Sequence, residues 1–428
     1  MTRFNNLQDW LNWQEGLHSR AIDLGLDRVR AVAAKMQLLQ PAAKIVTVAG
    51  TNGKGSCVAT LEALLVARGV SVGAFTSPHF HRYNERLRVD GQELSDSLIC
   101  ESFQRIDSAR GDISLTYFEF GALAALDLFR RQRVEVMLLE VGLGGRLDAV
   151  NILDADIAVV TSIALDHQDW LGSDLQQIGR EKAGIYRPGR WAICADQQAP
   201  GSVEATAKQL GARWLAMGAG MQIDGGGSAE RWTWRGIDDS GSPLQLADLP
   251  RSGLPLASVA AALQAYVLLG YRPGPELGAV LAGVTLPGRS QVIERDGVSF
   301  ILDVAHNPAA AGYQAQQLAA TGGAGRTWCL CAIMADKDQR GIFEVLLPQV
   351  DGWHVCDLPG VARAASATDL LATLQQTGGH GQTHPSVEAG LQSLLATVER
   401  GDRVLVMGSF FTVAAAQSFF ESGSPVKV

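Results

Sequence analysis

The segment Gly50-Thr51-Asn52-Gly53-Lys54-Gly55-Ser56 spaces glycines, a lysine and a hydroxyl as a phosphate-binding turn does. It follows the apolar run at residues 44–48 and precedes a helix-like stretch at 57–68, so the expected order is strand, turn, helix. Backbone N–H groups of such a turn face an anion, and Lys54 adds a point charge. The Ser56 hydroxyl is placed to hold magnesium. The spacing departs from the common phosphate loop, because Gly55 separates Lys54 from the hydroxyl. An ordinary glycine-rich turn is the bland alternative, and the strand-to-helix setting favours a nucleoside triphosphate.

Other polar residues follow apolar runs in the same way. Ser77-Pro78-His79 follows a second run, Glu140 ends a third at residues 136–139, and Asp166-His167-Gln168-Asp169 follows a fourth. In an open parallel sheet the carboxyl ends of the strands share one edge, and ligands bind there. Glu140 sits where a nucleotide-binding protein keeps a carboxylate for magnesium. His167 reads equally well as a metal ligand or as a histidine satisfied by hydrogen bonds. Ser77, before a proline, reads first as a turn residue. By spacing alone, Lys182 in Gly179-Arg180-Glu181-Lys182-Ala183-Gly184 reads as a solvated lysine.

The elements that must position these groups alternate between strand-like runs (45–48, 70–75, 134–139, 157–162, 191–194) and helical stretches such as 118–131. That alternation predicts an α/β fold, a parallel sheet covered by helices on both faces. Residues 217–243 read as a small hairpin at the domain edge, and 254–270 as a helix. Around Leu286-Pro287-Gly288-Arg289 a second alternating pattern begins, with strands expected at 299–304, 328–333, 353–356 and 403–407. The expected domains are therefore 1–286 and 287–428. At 428 residues there is chain enough for two cores.

Composition narrows the function. A net charge of -8 without a basic stripe argues against a nucleic-acid partner. No apolar run approaches a membrane span. Asn5, Asn6, Gln8, Asp9 and Glu15 interrupt any signal-peptide core, while Leu7, Trp10, Leu11 and Leu17 suggest an amphipathic helix. Six cysteines without framework spacing fit a reduced, cytoplasmic protein. Cys329 and Cys331 share one face of a strand, where buried core thiols are favoured over a metal pair.

Taken in order, the phosphate loop, Ser77-Pro78-His79, Thr116-Tyr117-Phe118-Glu119, Gly144-Gly145-Arg146-Leu147-Asp148-Ala149, Leu165-Asp166-His167, Arg180-Glu181-Lys182-Ala183-Gly184, Leu286-Pro287-Gly288-Arg289, Asp303-Val304-Ala305-His306-Asn307-Pro308 and Gly408-Ser409-Phe410 resemble the folylpolyglutamate synthases of the Mur ligase superfamily, especially their bifunctional bacterial branch. The resemblance implies a larger N-terminal ATPase domain and a smaller Rossmann-like C-terminal domain. It implies ATP held by Asn52, Gly53, Lys54, Gly55 and Ser56, with Arg289 and Asp303. Two magnesium ions would be served by Ser56, Ser77, Glu140 and His167. Lys182 would be carbamylated by carbon dioxide, and His306 and Ser409 would lie near the incoming L-glutamate, with Lys54, Lys182 and His306 as the catalytic set. The pterin side would involve Asp23, Leu24, Gly25 and Leu26, then Thr116, Tyr117, Phe118 and Glu119, then Leu147, Asp148 and Ala149. At the early segment the alternative is a loop leading into a helix at 29–39. Where the family often has an asparagine contacting ATP, this chain has Ser258.

The implied reaction is an ATP-dependent ligation of L-glutamate to dihydropteroate and to tetrahydrofolate polyglutamates through an acyl phosphate, by a monomer. Polyglutamate extension alone, a cell-wall precursor ligase and a nucleotide-dependent switch are the competing readings.

Overall fold

A computed structural model of the chain describes residues 3–225, 230–322 and 325–422. Two compact units emerge. One is built from residues before 227 and from Arg231–Val284, the other from Thr285 onward.

The first unit carries eleven strands among the described residues: β1 (Lys44–Ala49), β2 (Val72–Phe75), β3 (Leu87–Val89), β4 (Gln92–Glu93), β5 (Val136–Glu140), β6 (Ile157–Val160), β7 (Trp191–Cys194), β8 (Arg213–Met217), β9 (Gly220–Asp224), β10 (Arg231–Ile237) and β11 (Pro243–Pro250). Their order is β11-β10-β9-β8-β7-β6-β1-β5-β2-β3-β4. The run β8-β7-β6-β1-β5-β2 is parallel throughout. These central strands are buried along nearly their whole length, which is why they read as continuous apolar runs. β1 lies between β5 and β6, with Val48 beside Glu140 and Ala49 beside Val160. The residues that follow β1, β5 and β6 are therefore neighbours in space.

The edges differ. β3 and β4 add an antiparallel ribbon after β2. On the far side β9, β10 and β11 form an antiparallel ribbon whose last turn uses Asp238 to accept N–H bonds from Ser240 and Ser242. This ribbon is the hairpin expected at 217–243, extended to Pro250; Gly226 and Gly227 of its glycine run lie outside the described residues. The N-terminal helix is Leu7–Glu15, burying Leu7, Trp10, Leu11 and Gln14, so Leu17 falls outside it.

The second unit has six strands among the described residues: β12 (Gln291–Arg295), β13 (Val298–Asp303), β14 (Thr327–Cys331), β15 (Gly352–Cys356), β16 (Gly381–His384) and β17 (Arg403–Met407). Their order is β12-β13-β17-β14-β15-β16, parallel except for the β12–β13 hairpin. Cys329 and Cys331 are both buried in this unit's core.

Candidate active site

The phosphate loop leads from β1 straight into the helix Lys54–Ala67, so Lys54, Gly55 and Ser56 form its first turn. The helix starts at Lys54 rather than at Cys57, because Gly53 caps it at φ 85°. Only glycine takes that left-handed conformation without strain, and a Cβ there would stand 2.3 Å from Ser258 Oγ. Ser258, at the start of the helix Leu256–Leu268, thus packs on the loop itself.

Two hydroxyl residues after β6 staple the loop in place. Thr161 Oγ1 donates to the Asn52 carbonyl at 2.7 Å, and Ser162 Oγ accepts from Asn52 N–H at 2.9 Å. Thr51 exchanges hydrogen bonds with Ala164 through its side chain. Sequence reading gave Thr161 and Ser162 no role; the available signal was a pair of hydroxyls ending an apolar run beside a glycine loop. Lys54 Nζ donates back to the carbonyls of Gly50, at 3.0 Å, and Thr51, at 3.3 Å.

Ser56 Oγ is buried and has no hydrogen-bond partner among the described residues, an orphan that a hard cation would satisfy. Glu140 is buried and accepts the Ser77 N–H at 3.2 Å, so two more of the expected metal residues meet. Glu140 also lies close enough to Cys57, next to Ser56, to help burial push that thiol up to about 12. Hydroxyl and carboxylate oxygens are the donors magnesium prefers. His167 is exposed, at φ 50°, and caps the short helix Gln168–Leu171; an imidazole is the softer member of the set. Among the described residues no three His, Cys, Asp or Glu side chains group as metal donors, and this set, with its two serines, is not of that kind.

Lys182 is not a solvated lysine. It is 5% exposed, and its Nζ donates to the Gly50 carbonyl at 3.0 Å. Burial first, then repulsion from Lys54, pull its pKa down from 10.5 to about 7, against the opposing pull of Asp166 and Asp148. Its backbone is held by the glycine motif: a Cβ on Gly145 would lie 2.8 Å from the Lys182 carbonyl. Arg146 N–H donates to the Glu181 carbonyl at 2.8 Å, and the Arg146 guanidinium pairs with the Glu181 carboxylate.

On the expected pterin side, Asp148 accepts the N–H groups of Gly142, Leu143 and Val150 and caps the turn Ala149–Ile152. Burial nevertheless pushes its pKa up to about 6. Thr116 and Glu119 form a reciprocal cap on the helix Tyr117–Gln132. Arg28 ties the segments together, donating to Asp23 Oδ2 at 2.5 Å and to Glu119 Oε1 at 3.0 Å. Residues 22–26 do lead into a helix, Asp27–Lys35, but their Asp23 is fastened to Glu119 through Arg28. Phe118 closes the gap to the next motif, since a Cβ on Gly142 would meet its ring at 2.7 Å.

In the second unit Asp303 pairs with Met407 across β13 and β17, setting the motif at 303–308 beside Gly408-Ser409-Phe410. Asp303 accepts the N–H groups of Ser290 and Ala305, each at 2.8 Å, yet burial raises its pKa despite the nearby Arg289. The Arg289 guanidinium lies 5.1 Å from the Phe410 ring centroid. His306 Nδ1 hydrogen-bonds the Val304 carbonyl at 2.8 Å, which places its proton on Nδ1 and leaves Nε2 as the acceptor in the neutral ring. Ser409 is an N-cap: its Oγ accepts from Thr412 N–H at 3.0 Å and pairs with Thr412 Oγ1.

A parallel sheet with a phosphate loop, followed by a smaller α/β unit, is the architecture expected of an ATP-dependent ligase of the Mur type. Residues 288–410 match the family described as Mur ligase, glutamate ligase domain. The chain is 45% identical over 412 residues to the dihydrofolate synthase/folylpolyglutamate synthase of Escherichia coli strain K12, covering 95% of this chain and 94% of that one. A structure of E. coli FolC in complex with DHPP and ADP superposes with a TM-score of 0.92 at 43% identity, covering 98% of each chain. A bifunctional folylpolyglutamate synthase/dihydrofolate synthase with Mn, AMPPNP and L-glutamate bound superposes at 0.89, with 42% identity, covering 98% of this chain and 100% of that one. The chain belongs to the dihydrofolate synthase/folylpolyglutamate synthase family.

Proposed function

We propose that this chain joins L-glutamate first to dihydropteroate, making dihydrofolate, and then to the γ-carboxylate of tetrahydrofolate and its polyglutamates. ATP is the energy source. The relatives named for both activities support this reading, as do the neighbours holding DHPP with ADP and L-glutamate with AMPPNP. The observation that carries it is Lys182 Nζ on the Gly50 carbonyl, a buried amine built into the phosphate loop. A simple nucleotide switch has no need of that group.

A carboxylate resists amines because it is anionic and its oxygen leaves poorly. In the proposed reaction an acceptor carboxylate oxygen attacks the γ-phosphorus of ATP, the bond to the ADP oxygen breaks, and an acyl phosphate forms. The free α-amine of glutamate attacks the acyl carbon and loses a proton, and the tetrahedral intermediate expels inorganic phosphate to leave the amide. Lys54 and the backbone N–H groups of residues 52–56 bind the transferring phosphate oxygens. Ser56, Ser77, Glu140 and His167 would hold the magnesium ions, which supply charge neutralisation on the phosphates when bound. His306 and Ser409 would serve glutamate, and Arg289 and Asp303 the nucleotide.

Carbamylation of Lys182 belongs to the same reading. The amine must be neutral to add carbon dioxide, and burial leaves about half of it neutral near pH 7. The pterin subsite at Asp23–Leu26, Thr116–Glu119 and Leu147–Ala149 is supported by the Arg28 bridge between two of those segments. A cytoplasmic location is consistent with six free cysteines.

The test is ADP release with ATP, magnesium and L-glutamate, with dihydropteroate or tetrahydrofolate as acceptor. Turnover is expected with both, and Lys54→Ala is expected to lower it by about 100-fold or more, as loss of a transition-state charge donor does. Turnover with tetrahydrofolate alone would restrict the protein to tail extension. Glutamate-independent hydrolysis would overturn the ligase reading, and full activity of Lys54→Ala would displace the assigned phosphate site.

A further inference from the structure

We propose that Arg86 is a specificity-determining residue: its guanidinium receives the non-reacting α-carboxylate of a glutamate-tailed acceptor, a group dihydropteroate lacks. The inference builds on the substrate reading above.

Position comes first. Phe75 pairs with Leu87 across β2 and β3, and one residue further Thr76 N–H donates to the Arg86 carbonyl at 3.1 Å. Arg86 therefore stands at the carboxyl end of β2, beside Ser77, whose N–H reaches Glu140. On its other side is Tyr117, at the start of a helix expected to border the pterin.

The guanidinium itself is held without being neutralised. Nε donates to His79 Nδ1 at 2.7 Å, and the group lies 5.6 Å and 5.5 Å from the ring centroids of Tyr83 and Tyr117. Both neighbouring arginines are paired, Arg82 with Glu93 and Arg88 with Glu62. Arg86 has no carboxylate partner among the described residues. Glu85, adjacent in sequence, is committed to the N–H groups of Phe80, His81 and Arg82. One edge of the Arg86 fork is thus fixed by an imidazole, and its Cζ lies over two phenol rings. Nη1 and Nη2 make no hydrogen bond to the described residues. A half-buried guanidinium oriented in this way is matched to a carboxylate taken through two parallel N–H bonds.

Chemistry selects which carboxylate. The reacting one must keep a lone pair for the γ-phosphorus, and a bidentate arginine would occupy it and weaken the nucleophile. The terminal glutamate of a folate tail carries a second, inert carboxylate four carbon–carbon bonds from the reacting carbon. That group gains from the fork and loses nothing.

The experiment compares kcat/KM for tetrahydrofolate, for tetrahydropteroyl-γ-aminobutyrate (the same reacting carboxylate, no α-carboxylate) and for dihydropteroate, in wild type, Arg86→Ala and Arg86→Lys. Wild type is expected to prefer tetrahydrofolate over the aminobutyrate analogue by about 10- to 100-fold, the range for a hydrogen bond to a charged group. In Arg86→Ala that preference should fall to within about 3-fold, through KM, with Arg86→Lys between. The loss with tetrahydrofolate should exceed that with dihydropteroate by a similar factor. Because each comparison is a ratio within one protein, a general loss of stability cancels. Retention of the preference in Arg86→Ala, or an equal fall with all three acceptors, would overturn the proposal. Wild-type protein inactive with every acceptor would overturn the substrate reading instead.

Discussion

Carbamate formation at Lys182 should follow a pH profile that no surface lysine can give. The step is R–NH2 + CO2 → R–NH–COO− + H+, so its rate tracks the neutral amine. With the pKa pulled from 10.5 to about 7, roughly half the amine is neutral at pH 7, against about one part in 3,000 for an ordinary lysine. From pH 6 to 8 the neutral fraction rises about ten-fold and then flattens, whereas an ordinary lysine would rise about 100-fold and keep rising. The neighbouring Lys54 contributes twice. Its charge opposes the ammonium form and favours the carbamate anion that replaces it. Protein stripped of carbon dioxide would be given 13CO2 at fixed pressure, with carbonic anhydrase present. The initial rates at which the carbamate signal appears and glutamate-dependent ADP release recovers would then be followed together. Both should inflect near pH 7, and Lys182→Arg should give neither. Recovery still climbing ten-fold per unit at pH 9, or activity without a carbamate signal, would refute the argument.

The same lysine should shape stability. The unfolded chain holds this proton up to about pH 10.5 and the folded one only to about pH 7, so the unfolded state binds more protons in between. Stability of the carbon-dioxide-free protein should therefore rise with pH across that window, by up to about 1.4 kcal/mol per unit from this group. Denaturant unfolding of Lys182→Met should lack that component, and an unchanged slope would contradict the burial argument.

Ser56→Ala should raise the magnesium concentration needed for turnover while leaving stability within about 0.5 kcal/mol, because the buried hydroxyl it removes makes no hydrogen bond to the described residues. A large loss of stability would mean the hydroxyl is structural. Ser409→Ala removes the cap of the helix Phe410–Glu421 and should cost about 1 kcal/mol in denaturant unfolding. A raised KM for glutamate should accompany it; the stability loss alone would make Ser409 a cap and nothing more.

What could be read from the residues follows the physics of each element. Central strands announce themselves as apolar runs because both faces are covered. Strands β12 and β16 escaped notice because they are edge strands with mostly polar, partly exposed side chains. The helix after the phosphate loop reads as starting at Cys57 because Gly55 interrupts the helical pattern, while a capping geometry available only to Gly53 starts it at Lys54. Lys182 was beyond local pattern altogether. Nothing in its neighbours says that the side chain turns inward, since its burial is created by strands and loops far away in sequence.

That case shows why short motifs, each weak alone, were informative in series. The motif at residues 144–149 acts on the site through a contact with another motif. Gly145 lets the backbone of 181–182 approach to a distance no Cβ would permit, and Arg146 fastens it there from both main chain and side chain. That contact aims Lys182 at the Gly50 carbonyl, while Thr161 and Ser162 hold the other side of the same loop. Each motif is one half of a contact whose other half lies in another motif. The lysine has its depressed pKa only where all of them meet.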